Sequence, residues 1–582
     1  MFRQEEYDDG FIRMQQNNVT PAQSEEYADF IVNYQRVLNE PINIPPGSSA
    51  AIINESYSVF YVPLQEIGNL SVNGYSYNAI PKCYTTMDLE ALRASGITRL
   101  QDHPYLQLRG KNTAVAVIDT GIDYKNPAFL INGRTRIVRL WDQTLPGKEP
   151  DEADSDTRMV PYGRVFTGED INRALEGENP LEVVPSVDRD GHGTALAGLA
   201  AGNIIPAEGF GGAAPEAAIL VVKLKPAKRY LKDFYLLSSQ KEAFQENDIM
   251  LGIAYAVKWA REMKMPLSIC LGLGTSQGAH QGSGPLSKYV DYVTNFTYVS
   301  VCAAAGNEGA ARHHFFGKLE PSQKNVTAQI RTGEKEKGFS LEFWGESPES
   351  YQIYIQSPTG EVLQISSSLG AATQELSFVF VETKVLVNYV GIEEQTGKPL
   401  VFFRFVRPAA GVWKIHIQTR DSEKSSFHMW LPVTGLVSEG TYFLESSPDS
   451  TVTSPGDSSG GIAVTAYRYQ DNSLFLQAGR GFSPNGEVTP QLAAPGVDIR
   501  IPLPGGRFGT ASGTSLGTAQ TAGAAALLFE WALVRGNELY FTGTNVKNYL
   551  LRGARREENM QYPNPEWGYG RMDLYHTFEL LS

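Results

Sequence analysis

The pattern of apolar and polar positions changes character twice along the chain, and each change predicts a different architecture. Over the first stretch, YADFIVNY at 27–34 and SYSVFYVPL at 56–64 are β-rich. They flank Pro- and Gly-containing loop chemistry at 41–49, and TMDLEALRAS at 86–95 reads as a short helix. Together these predict a small α+β unit over residues 1–90. From residue 112 the strands read differently. AVAVI at 114–118, ILVVKL at 219–224, LSICL at 267–271 and YVSVCAA at 298–304 are near-continuous apolar runs. A strand with one wet face alternates, whereas a strand covered on both faces of a parallel sheet does not. An amphipathic helix at 252–263 lies between two of these runs, and strands alternating with helices imply a parallel α/β sheet.

A third texture occupies residues 318–435. Seven β-type segments, at 339–344, 351–356, 376–382, 385–390, 400–407, 412–418 and 427–431, are separated by turns such as SPTG at 357–360. Short strands at this spacing predict an inserted antiparallel β-sandwich or jelly roll. His416 and His428 within it read as structural. The α/β texture resumes with a strand at 459–466, so the expected order is 1–90, 91–317, 318–435 and 436–582, with the second and fourth segments sharing one core.

Composition narrows the partners more than the fold. A chain of 582 residues, 42% hydrophobic and 20% charged, is a globular protein of several domains. A formal net charge of −14 argues against nucleic acid or an anionic membrane surface as a main partner. No apolar run is long enough to cross a bilayer, which predicts no membrane insertion. The opening MFRQEEYDD is acidic and has no apolar signal region, so a secretory signal is not visible and a cytoplasmic location is expected. Cys83, Cys270 and Cys302 are too few for a disulfide framework and predict free thiols. The eight histidines offer no zinc-ligand spacing, so neither a metal nor another cofactor is expected.

The chemistry concentrates in three places. Near the end, Gly513-Thr514-Ser515-Leu516-Gly517 opens a long run of small and apolar residues, which places a hydroxyl at the start of a buried helix. Unpaired N–H groups and the helix dipole favour negative charge there, as an acyl-transfer nucleophile requires. Taken alone, the same letters also fit a nucleophile elbow or a tightly packed core helix. Asp119 ends the first buried strand and is followed by Thr120-Gly121; an aspartic protease would need a second such tripeptide, and there is none. His192 stands between Gly191 and Gly193 at the mouth of an Ala/Gly-rich helix, in the stretch 188–202. His280 reads either as lining a cleft or as a surface-loop histidine, as do His313 and His314.

The order Asp119…His192…Ser515 decides among these readings. Val117-Ile118-Asp119-Thr120-Gly121-Ile122, Gly191-His192-Gly193-Thr194 and Gly513-Thr514-Ser515 resemble the three catalytic motifs of the subtilisin-like serine proteases. Ala305-Gly306-Asn307-Glu308-Gly309, Ala494-Pro495-Gly496-Val497 and the terminal Trp567-Gly568-Tyr569-Gly570-Arg571-Met572-Asp573 resemble further segments of that family. An α/β-hydrolase would need an acid and then a His after Ser515; the only Asp and the only His there are Asp573 and His576, in the terminal segment that resembles the structural C-terminus of subtilases. The resemblance implies a three-layer α/β fold with a mostly parallel central sheet, an Asp119–His192–Ser515 triad and an oxyanion hole containing Asn307. It also implies that Cys270, Leu271 and Gly272 form the edge that pairs with extended substrate. The sequence departs from the common pattern at Cys270, Ser512 and Ala519, where Ser, Asn and Pro are usual.

The layout with an N-terminal unit and a β insertion is most similar to the Csp-type proteases of clostridial spores. That resemblance implies a prodomain over 1–90, self-cleavage within 78–95, a protein or peptide substrate, the prodomain itself as a partner, and a spore-associated role in activating a precursor enzyme during germination. Because some relatives have lost catalytic residues, a silent scaffold acting as regulator or receptor is the competing expectation.

Overall fold

The computed structural model describes residues 20–33, 46–54, 56–86, 95–147, 160–238, 241–323, 325–366, 373–419 and 424–581. Its centre is a nine-stranded sheet. The spatial order is Ser473–Leu474, Ile462–Arg468, Val299–Ala304, Leu267–Leu271, Ala114–Asp119, Ala218–Lys223, Ile137–Asp142 and Arg164–Thr167, with Leu492–Pro495 also paired to Ile462–Arg468. The interior pairs are parallel, while Ser473–Leu474 and Arg164–Thr167 run antiparallel at the two edges. The continuous apolar runs have the expected cause. In the strand Ala114–Asp119, Val115 and Val117 face one buried layer while Ala114, Ala116 and Ile118 face the other. The first layer holds the helices His192–Ala201 and Thr514–Phe529; the second holds Glu246–Glu262 and Pro285–Val293.

The N-terminal unit is a three-stranded antiparallel sheet in the order Tyr27–Asn33, Tyr57–Pro63, Ser49–Ile52. Ile31, Val59 and Tyr61 continue the second apolar layer, so this unit docks on the helix Glu246–Glu262 and buries surface that helix would otherwise expose. The short helix expected over 86–95 falls outside the described residues except for its ends, Thr86 closing a strand and Ser95 opening a turn.

The β-rich insertion is two antiparallel sheets of six and five strands around one shared core. It begins earlier than expected, with strand His314–Leu319, and returns through Tyr442–Phe443, which pairs with Asn325–Thr332. Alternation is clear in Gly411–Thr419, where Trp413, Ile415, Ile417 and Thr419 point inward. One expected strand is misplaced. The pairing lies at Gln374–Ser377, whereas over 376–382 Val379 and Phe380 are exposed and give their N–H groups to the Glu361 carboxylate. A β-type composition forms no ladder when a side chain has already taken the donors. Among the described residues no helix is long and apolar enough to cross a membrane.

Candidate active site

Three elements deliver the three candidate side chains to one point. Asp119 is the last residue of a central strand, His192 the first residue of its helix and Ser515 the second residue of its own. Ends of elements are where α/β folds place chemistry, because a side chain there is held by a rigid scaffold yet leaves the core. Gly191 precedes His192 with φ +89, a left-handed turn that strains any residue with a Cβ.

The distances form a continuous relay. His192 Nδ1 lies 2.7 Å from Asp119 Oδ1, and His192 Nε2 lies 3.2 Å from Ser515 Oγ. The Thr120 N–H donates to the same Asp119 oxygen at 2.8 Å, which fixes the carboxylate's orientation. All three groups are buried. Gly272 backs the pair: a Cβ there would stand 2.9 Å from His192 Cε1 and 3.3 Å from Asp119 Oδ2. Such an arrangement can take a proton from the Ser515 hydroxyl onto His192 and balance the resulting charge on Asp119.

Asn307 closes the opposite side. Its Oδ1 accepts from the Thr514 N–H at 3.3 Å and from Thr514 Oγ1 at 3.2 Å, which turns the NH2 end of the amide away from Thr514. Beside the N-terminus of the helix Thr514–Phe529, whose dipole favours negative charge, this is a setting suited to a developing oxyanion. A cleft of about 910 Å3 opens beside His192, lined in part by Thr120, Asp190, Leu224, Phe244 and Leu503. Asp190 accepts from the His192 backbone N–H at 3.2 Å; burial pushes its carboxyl up from the usual value, with the nearby His192 opposing.

An extended segment pairs directly after the expected edge at 270–272, not on it. Cys270 is buried and paired on both sides, Leu271 is buried and paired with Ala303, and Gly272 lies between the strands Leu267–Leu271 and Leu273–Gly274, so 270–272 is not the segment that pairs with an extended strand. The strand that accepts an extended segment is Leu273–Gly274, which pairs antiparallel with Cys83–Thr86 of the N-terminal unit. Cys83–Thr86 pairs on its other side with Phe244–Gln245, so it lies between two strands as the middle of three. Phe244–Gln245 was not legible in the sequence, because a two-residue strand has no periodicity.

His280 neither lines the cleft nor lies on the surface. It is buried, with its two ring nitrogens 2.8 Å from the Val452 carbonyl and 3.1 Å from the Ser276 carbonyl, and it stacks on Trp430. His313 and His314 are also buried; His313 meets Glu308 at 2.7 Å. Asp573 caps the last helix by accepting the His576 N–H and pairs with Arg555, so both residues after Ser515 have local partners. Among the described residues no group of three or more His, Cys, Asp or Glu is placed to hold a metal ion.

The sequence profile of the subtilase family (peptidase S8) matches residues 110–374 and 421–570. The fold is similar to that of the Clostridium perfringens CspB protease, with a TM-score of 0.72 and 31% identity over 84% of this chain and 96% of the other. The major intracellular serine protease of Bacillus subtilis (strain 168) is 30% identical over 204 residues, 35% of this chain. The matched stretch spans 45% of that relative's length. The chain belongs to the subtilase family of serine endopeptidases.

Proposed function

We propose that the protein hydrolyses peptide bonds with Ser515 as nucleophile, His192 as general base and then general acid, and Asp119 as the group that orients and balances the imidazole. Ser515 Oγ attacks the carbonyl carbon while His192 Nε2 takes its proton. The carbonyl oxygen becomes an oxyanion held by the Asn307 amide and the Ser515 backbone N–H. His192 then protonates the leaving amine, and water repeats the sequence on the acyl-enzyme. The observation that carries this reading is the relay of 2.7 Å and 3.2 Å ending at a helix N-terminus.

The first substrate is the chain itself. Residues 1–90 act as a prodomain whose terminal strand occupies the groove between Phe244–Gln245 and Leu273–Gly274, an arrangement of the β-augmentation kind. Ser95 is tied to the core, where its carbonyl accepts the Leu574 N–H. The self-cleaved bond therefore falls within 87–94, between the docked strand and the core. The insertion at 318–435 is a jelly roll in this reading, and resemblance to the Csp-type proteases extends the role to activating a precursor enzyme in spore germination.

The test is the intact mass of wild type beside Ser515→Ala, with a fluorophosphonate probe on both. Wild type is expected as two pieces parted within 87–94 and labelled once; the alanine variant stays whole and unlabelled. Two intact, unlabelled proteins would favour the silent scaffold instead.

A further inference from the structure

We propose that Asp188 is a positioning residue for the Asp119–His192 pair, holding the segments that carry both at a fixed separation; this rests on the reading of His192 as the base. Asp188 is buried and each of its oxygens is doubly occupied. Oδ1 accepts from Thr120 Oγ1 at 2.9 Å and from the Gly191 N–H at 2.9 Å. Oδ2 accepts from the Thr194 N–H at 2.9 Å and from Thr194 Oγ1 at 2.6 Å. A plain helix cap would need only the Thr194 bonds. The Thr120 bond goes elsewhere, to the residue directly after Asp119.

The bonds close a ring. Asp119 and His192 meet directly, and their chain neighbours Thr120 and Gly191 meet again through one Asp188 oxygen. The Gly193 N–H adds a second cross-link by donating to Thr120 Oγ1 at 2.9 Å. Thr194 Oγ1 accepts from the Asp123 N–H at 2.8 Å, and Asp123 Oδ2 accepts from the Gly505 N–H at 2.8 Å. One carboxylate thus registers the Asp119 loop, the His192 helix and, at one remove, the hairpin Ile499–Leu503/Arg507–Ala511. Asp188 acts entirely through these neighbours. It also adds a negative charge beside a histidine whose ring meets Asp119 and whose backbone N–H meets Asp190, while Asp123 reaches the helix through Thr194 and Lys223 is held by Asp142.

Asp188→Asn keeps the shape and removes the charge and half of the accepting capacity, so a buried donor then faces a donor. The expected result is kcat lower by about 10- to 100-fold with KM within about threefold, because small misplacements of reacting groups act on the rate. The acid limb of the kcat/KM profile moves to lower pH, since the imidazolium loses a nearby anion. Thr194→Ser, which keeps the hydroxyl, stays near wild type, while Thr194→Val falls with Asp188→Asn. Unchanged kcat and acid limb in Asp188→Asn, or loss only in proportion to melting temperature, would overturn the proposal. The downfield proton resonance of His192 Nδ1–H, followed against pH, reads the same pair without turnover. If wild type neither cleaves nor labels, the hydrolytic reading fails, yet an unshifted resonance and titration in Asp188→Asn still reject the role of Asp188.

Discussion

Gly193 shows how little room the site leaves at the scale of single residues. A Cβ there would stand 2.2 Å from the Gly121 carbonyl oxygen, which is backbone and cannot swing away. Gly193→Ala must therefore push the His192 helix off the Asp119 loop. It should destabilise the protein by roughly 1–3 kcal/mol, seen as a lower denaturation midpoint in a Ser515→Ala background that removes self-digestion. Residues of this kind were half legible in the sequence. The glycines around His192 stood out, but not the purpose of Gly193, which makes room for the Gly121 backbone. Asp188 and Thr194 lie in the same stretch as His192 and carried no role, since the partner that gives the carboxylate its second task, Thr120, is 68 residues away in sequence. Motif order names the groups that react; it is silent on the groups that hold them.

At the scale of elements, the seam between core and insertion is a stack of rings. His280, Trp430, His314 and His428 pile with adjacent centroids 4.2 to 5.1 Å apart, and His314 Nε2 lies 2.9 Å from His428 Nδ1. Burial, helped by His280 and Lys398, holds His428 down to about 3 from the ordinary 6.5. Burial also lowers His314 well below that value, with His428 and His280 adding. The folded rings refuse protons that the unfolded chain accepts. The stability they contribute is therefore full above 6.5 and is lost as pH falls from there towards 3. Thermal melts should drop between pH 7 and pH 5 by of order 2 kcal/mol per ring, and His428→Phe should flatten that slope; an equal slope in the variant would contradict it. The sequence marked His428 as structural but could not show the stack. Its rings come from separated segments, and side-chain neighbours across sheets leave no trace in local periodicity. For the same reason the buried parallel strands were readable from their unbroken apolar runs, while the short strands at 362–364 and 442–443 were not.

At the scale of the whole molecule, the N-terminal unit is fastened by charge as well as by apolar area. Asp29, buried, pairs with Lys228 and accepts from Gln245 Nε2 at 3.1 Å and Asn247 Nδ2 at 3.0 Å. Lys228 also donates to the Pro21 carbonyl at 2.9 Å and the Tyr27 carbonyl at 3.2 Å. Removing one partner of a buried pair leaves the other charge stranded, which costs about 3–5 kcal/mol. Asp29→Ala in the uncut Ser515→Ala protein should lower the melting temperature, and in the cut protein it should let the N-terminal piece separate on gel filtration. Persistent co-elution would show that apolar contact alone holds it. The strand Cys83–Thr86, lodged between the two cleft strands, then has a kinetic meaning. In the proposed reaction it competes, while tethered, with any outside peptide at an effective concentration of about millimolar, however dilute the protein. Cutting one bond turns that fixed quantity into an ordinary one set by the amount of free fragment, so dilution itself becomes a way to open the groove.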